Sequence, residues 1–139
     1  MPHDEPIHAS ILERIGATAL IRLRGLVPGD GARVLLKIES ENPTGSMKDR
    51  AALAMIEAAE ADGRLRHGGE VVEYSGGSTG VSLALVCRAK GHPLHVVTSE
   101  AFSLEKRDHM RALGAELTLV DSVDGGIDEG LIRDMIETA

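Results

Sequence analysis

Val71-Val72-Glu73-Tyr74-Ser75-Gly76-Gly77-Ser78-Thr79-Gly80 runs directly into Val81-Ser82-Leu83-Ala84-Leu85-Val86-Cys87-Arg88-Ala89-Lys90-Gly91, and this passage decides the fold. The first four residues read as a strand, the glycine-rich stretch as a loop, and Thr79 to about Lys90 as an apolar helix closed by Gly91. Downstream, Leu94–Thr98 is expected as a strand. Ser103 caps a helix running to Leu113 with Gly114 at its boundary, Glu116–Val120 is a strand, and the residues after Asp128 are helical. Each crossover is too long for a hairpin, so the strands are expected to be parallel, with right-handed connections and helical cover. That predicts an α/β fold with a parallel βαβαβ three-layer domain.

Upstream, Thr18–Leu23 roughly alternates and suits a short strand. Pro28-Gly29-Asp30-Gly31 is a turn, and Val34–Glu39 a second strand. The loop Asn42–Ser46 leads into a helix that ends near Asp62, with Gly63 as its stop. At the other end, Ile127, Leu131, Ile132, Met135 and Ile136 form an apolar helical stripe. Either that helix closes a small sheet or the domain continues beyond it.

The chain has 139 residues with 42% hydrophobic and 27% charged, which suits one folded unit rather than a disordered segment. A net charge of −7 without a basic block disfavours duplex nucleic acid. No stretch reaches the roughly 20 apolar residues of a membrane span, and the acidic stretch Met1–Pro6 does not resemble a secretory leader. These features predict a cytoplasmic protein. One cysteine, Cys87, permits no internal disulfide and reads as a buried structural thiol. His92 and His95 read as a loop and a strand histidine, with no metal site, and Glu57, Glu60 and Asp62 as a solvated helix face. With one Tyr, one Phe and no Trp, the core must be aliphatic.

Two constellations could carry chemistry. Asn42-Pro43-Thr44-Gly45-Ser46-Met47-Lys48-Asp49-Arg50 enters the first long helix. Projected from Lys48, Ala52, Met55 and Ala59 share a face, so the lysine is expected on the inward stripe at the first turn. Burial and the helix N-terminus both disfavour an ammonium there. A neutral amine is what a Schiff base with an aldehyde cofactor requires. The competing reading is a lysine that snorkels to solvent or pairs with a neighbouring acid, and position alone favours it, because buried lysines are rare. In the second constellation, successive N–H groups of the Ser75–Gly80 loop, with hydroxyls of Ser75, Ser78 and Thr79, suit an anion. The spacing fits neither G-x-G-x-x-G nor a P-loop, so a carboxylate or single phosphate is the natural guest. A plain strand-to-helix turn is an equally good reading.

Ile15-Gly16-Ala17-Thr18-Ala19-Leu20-Ile21-Arg22-Leu23, then Asn42 through Arg50, then Ser75 through Gly80, occur in the order found in cysteine synthases. Ser103–Arg107 and Leu113–Leu117 are also similar, so the chain resembles that family over roughly residues 10 to 137. Cysteine synthases are fold-type II pyridoxal-phosphate (PLP) enzymes, together with the tryptophan synthase β subunit and the threonine dehydratases. The resemblance implies that Lys48 holds PLP as a Schiff base and, once freed, removes the Cα proton. Ser75, Gly76, Gly77 and Thr79 would hold the α-carboxylate of an amino-acid substrate. Ser78 stands where the family's asparagine contacts the cofactor. The implied reaction is β-elimination or β-replacement on an O-activated serine, with sulfide or a thiol adding to give cysteine or an analogue.

Three departures matter. Gly76 and Ser78 replace the serine and asparagine of the usual Thr-Ser-Gly-Asn-Thr-Gly loop, and Ala17 and Ala19 stand where Asn and Pro are usual. The family also continues further, to a loop for the PLP phosphate and a residue for the pyridine nitrogen. The chain is therefore expected to be an N-terminal portion. Residues 1–45 would be the entry strands of a larger PLP domain, and residues 46–139 a small α/β domain carrying the lysine helix and glycine loop. Alone it is expected to bind PLP weakly, without phosphate anchoring. Either a homodimer, typical of the family, or association through exposed aliphatic surface is implied. The competing expectation is a non-catalytic remnant or interaction module that keeps the small-domain fold. A nucleotide-binding domain is a third reading, and the loop spacing counts against it.

Overall fold

The structure, a computed structural model, describes residues 7–25, 28 and 30–139. Met1–Pro6, and Gly29 of the expected turn, lie outside them, although the Gly31 amide bonds to the Pro28 carbonyl at 2.9 Å. The alternating residues form β1 (Leu20–Arg22) and β2 (Leu35–Lys37), paired antiparallel with Ile21 opposite Leu36. This ribbon exposes Leu20, Ile21, Leu35 and Leu36. Two strands alone are marginal in water, so the ribbon depends on what anchors its ends. The anchor is polar. The Arg50 guanidinium forks onto the Glu39 carboxylate at 2.9 and 3.0 Å and donates to the Thr18 hydroxyl at 3.1 Å. The Asn42 side-chain oxygen accepts the Gly16 amide at 2.9 Å.

The rest of the chain alternates as expected: α1 (Lys48–Ala61), β3 (Val71–Tyr74), α2 (Ser78–Lys90), β4 (Leu94–Ser99), α3 (Leu104–Ala112), β5 (Glu116–Val120) and α4 (Glu129–Thr138). The three later strands make a parallel sheet in the order β3-β4-β5, with Val71 opposite Leu94 and His95 opposite Glu116. Side chains of β4 alternate between two cores, as a strand buried on both faces must. Leu94 and Val96 pack with residues of α1, α2 and α3, including Ile56, Val86 and Met110. Val97 packs on the opposite face with Leu131 and Met135 of α4. The sheet thus lies between two helical layers, and the main core is aliphatic apart from Met110 and Cys87. His95 bonds the Thr118 hydroxyl at 2.8 Å across the sheet, a strand histidine as expected.

Three details differ from the sequence-based expectations. Ser103 stands at the N-cap of α3, but its side chain makes no capping bond. In α1 the buried residues are Asp49, Ala52 and Ile56, while Lys48 and Met55 are exposed. The inward stripe is therefore one residue out of phase with the expected Lys48–Ala52–Met55–Ala59 face. The cause is Asp49, whose carboxylate finds buried donors and occupies the inward position. Finally, Glu60 is not simply solvated. It accepts from the ammonium of Lys90 at 2.7 Å and lies 3.0 Å from Nε2 of His92, whose side chain is fully buried. His92 Nδ1 lies 3.0 Å from the Gly69 carbonyl oxygen. The cluster latches α1 to the turn between α2 and β4.

His92 first, and then Lys90, hold the Glu60 carboxyl below its ordinary value of 4.5. A depressed carboxyl contributes stability above its unfolded-state value and loses it as pH falls through the folded-state value. Thermal melts on acidification below pH 4.5 should therefore show a steeper loss of midpoint for the parent chain than for Glu60→Gln. Parallel slopes would contradict the latch.

Candidate functional site

The loop before α1 is wound around a carboxylate. Asp49 has no exposed surface, and its oxygens accept from the Thr44 amide at 2.8 Å, from the Thr44 hydroxyl, and from the Ser82 hydroxyl at 2.6 Å. Ser82 is itself fully buried and lies one turn into α2. The first turn of α1 is thereby fastened to the first turns of α2. Lys48, the neighbour of Asp49, consequently points outward, and its amine has no hydrogen-bond or ion-pair partner among the described residues. Expected as inward-facing, Lys48 is found exposed beside the buried anchor.

The glycine loop leaves β3 and opens α2. The Ser75 hydroxyl oxygen turns inward and accepts the amides of Gly77 at 3.3 Å and Gly80 at 2.9 Å, so it braces the loop from beneath. The Ser75 amide stays in the ladder, donating to the Val97 carbonyl at 2.9 Å. Among the described residues, the amides of Gly76, Ser78 and Thr79 make no hydrogen bond, which leaves three donors at a helix start. These residues border an open cleft of about 380 Å³, closed on its other sides by Glu73, Tyr74, Phe102, Ile132 and Met135. Burial raises the Glu73 carboxyl above its ordinary value, opposed by the Tyr74 amide. Both aromatic residues of the chain lie on this one cleft.

Phe102 was not foreseen as a site residue. Its ring occupies the space that a Cβ on Gly76 would enter, so the glycine is fixed by close approach rather than by a turn requirement. Gly80 is confined in the same way, since a Cβ there would lie 2.5 Å from the Met110 sulfur. Cys87 behaves as read: burial, followed by the charge of Glu60, pushes its thiol up to about 11, and it is no nucleophile. Among the described residues no cluster of three or more His, Cys, Asp and Glu could hold a metal ion, and no helix is long and apolar enough to cross a membrane.

A family model described as pyridoxal-phosphate dependent enzyme matches residues 11–137. The chain belongs to that family. Among curated relatives, a Staphylococcus aureus cysteine synthase is 46% identical over 110 residues, 79% of this chain and 36% of the relative. Cysteine synthase B of Escherichia coli is 41% identical over 117 residues, 84% of this chain and 39% of the relative. Among solved structures, O-ureido-L-serine synthase superposes with a TM-score of 0.84 at 38% identity, covering 96% of this chain and 42% of that one. The Entamoeba histolytica O-acetyl serine sulfhydrylase isoform 3 gives 0.84 at 35% identity, covering 99% and 42%. The chain thus spans 36% and 39% of the lengths of the two curated relatives. The fold is that of cysteine synthases, and the family and its cysteine synthase members depend on pyridoxal phosphate.

Two expectations follow from these contacts. Ser82→Ala should lower stability by about 1–3 kcal/mol, because it strips a donor from a buried carboxylate, and denaturant melts measure the loss. Gly76→Ala should also destabilise, by about 1–3 kcal/mol of overpacking. Adding Phe102→Leu should recover part of that loss, and a strictly additive double mutant would contradict the close approach of the ring.

Proposed function

We propose that this chain supplies the lysine helix and the carboxylate-binding loop of a PLP-dependent enzyme of the cysteine synthase type. The reaction is β-elimination or β-replacement on an O-activated serine, with sulfide or a thiol as the incoming nucleophile. The observation that carries this reading is the Asp49–Ser82 bond of 2.6 Å, which fastens the turn bearing Lys48 to the helix that opens with unpaired amides. The donor set fits the cofactor. Lys48 offers an amine without a partner among the described residues, and Ser78, with its hydroxyl, is the first residue of α2.

When bound, PLP supplies an electron sink for the pair released at Cα. Lys48 would hold it through a Schiff base, and Ser78 would contact it in place of the family's asparagine. The amides of Gly76, Ser78 and Thr79, with Gly77 giving the backbone its close approach, would receive the α-carboxylate and orient the Cα–H bond. Ser75 would act chiefly by holding that backbone, since its oxygen already accepts two amides. Released from the cofactor, the Lys48 amine would take the Cα proton as general base. Lys48 is exposed in the chain as it stands, so exclusion of water around it would fall to polypeptide that the longer relatives have and this span lacks.

In this reading residues 1–45, with the β1–β2 ribbon, belong to a larger domain, and residues 46–139 form the small one. It brings with it an amino-acid substrate, a cytoplasmic setting, and a homodimer or association through exposed aliphatic surface. The competing reading, a non-catalytic module, draws support from the exposure of Lys48. Borohydride trapping decides between them. With PLP and the C-terminal remainder of the Staphylococcus aureus relative supplied, the pyridoxyl mass should appear on the Lys48 peptide, and Lys48→Ala should abolish the visible absorption band. Labelling spread over surface lysines, unchanged by Lys48→Ala, would favour the module.

A further inference from the structure

Phe102 is held by neighbours outside the glycine loop. In the turn that joins β4 to α3, its amide donates to the Ser99 carbonyl at 3.2 Å, and the Ala101 amide donates to the Ser99 hydroxyl at 3.2 Å. Ser99 has no exposed surface. Beside it, the Glu100 carboxylate accepts the amide and hydroxyl of Ser122 at 2.9 and 3.0 Å, which ties this turn to the segment after β5. The ring itself packs on the cluster of Val97, Leu131 and Met135. With the ring fixed from that side, the glycine loop fits itself to the ring.

The contact falls on Gly76. A Cβ there would lie 2.2 Å from Cε1 of the ring and 2.3 Å from Cδ1, so position 76 has no room for a side chain while Phe102 is present. The Gly76 amide, one of the three left unpaired among the described residues, therefore stands beside an aromatic ring. Loop and ring border the same open cleft. A carboxylate bonded to that amide brings its adjoining carbon atoms against the ring. Methylene groups in that place leave water for apolar contact, which is favourable. A hydroxyl there gives up its hydration and gains no comparable hydrogen bond from an arene, which is unfavourable.

We infer that Phe102, admitted by Gly76, selects among amino acids at this cradle: the cleft takes an α-amino acid with an apolar side chain or β-substituent of several carbons in preference to a short polar one. Phe102 is then the specificity-determining residue, and Gly76 the position that makes space for it. The inference rests on the proposed role of the loop as the seat of the α-carboxylate, and it names the substrate class for that seat. The concentration of both aromatic residues of the chain on this cleft agrees with it.

L-Norleucine and L-serine share an α-carboxylate and an α-amine and differ only in the side chain. NMR titration of the 139-residue chain with each compares them. The amides of Gly76, Ser78 and Thr79 should shift with both, and L-norleucine should bind about tenfold tighter. Phe102→Ala should bring the two affinities close to equality. In the double variant Gly76→Ser, Phe102→Ala a hydroxyl takes the place of the ring, and L-serine should become the tighter ligand. Unchanged dispersion of the Val96 and Val97 amides identifies the variants that are folded. The comparison in the parent chain needs no variant, so it decides even where a substitution unfolds the protein. Equal affinities in the parent, with the loop amides shifting, would overturn the inference and leave the carboxylate seat standing. Loop amides that shift with neither amino acid would overturn both. A preference that survives in folded Phe102→Ala would assign selection to another wall of the cleft and overturn the role given to Phe102.

Discussion

A carboxylate taken wholly out of water costs several kcal/mol unless donors replace its hydration. Among the described residues, Asp49 meets that requirement without a cation, through the Thr44 amide, the Thr44 hydroxyl and the Ser82 hydroxyl. The two residues come from different pieces of the architecture: the entry loop and the second helix close on the first turn of α1 around one group. The direction of Lys48 is a by-product, since adjacent helical residues point about 100° apart and Asp49 is turned inward. The outward amine and the buried acid are thus two aspects of one constraint.

The architecture was legible because its signals are local. Short runs between turn and helix signals marked the strands, and Gly63, Gly91 and Gly114 closed the helices near the places expected. The phase of α1 was not legible. Alanines at 51, 52, 54, 58, 59 and 61 make nearly every face of that helix apolar, so the stripe has no sharp edge to read. The residue that settles the phase is a charged one, and its deciding partner, Ser82, lies 33 positions away. The glycine loop was readable as a strand-to-helix turn with free amides, while the inward use of the Ser75 oxygen depends on the helix it braces.

The same distinction explains the departures within the loop. Read along the chain, Gly76 is a missing serine. Read in space, it is the surface against which the Phe102 ring lies, and the two residues are a matched pair. Glu60 and His92 are comparable: separately a surface acid and a loop histidine, together a part-buried link between α1 and the turn before β4. In each case the sequence supplies half of an interaction whose other half is distant.

Tyr74 has one more property. The chain has no tryptophan and this single tyrosine, which stands in the wall of the cleft beside the glycine loop. Its tyrosine emission therefore arises from one ring at one known place, with no second tyrosine or tryptophan to average against. The protein carries a built-in optical gauge of its own cleft: a guest that enters beside the loop alters the whole tyrosine signal rather than a fraction of it.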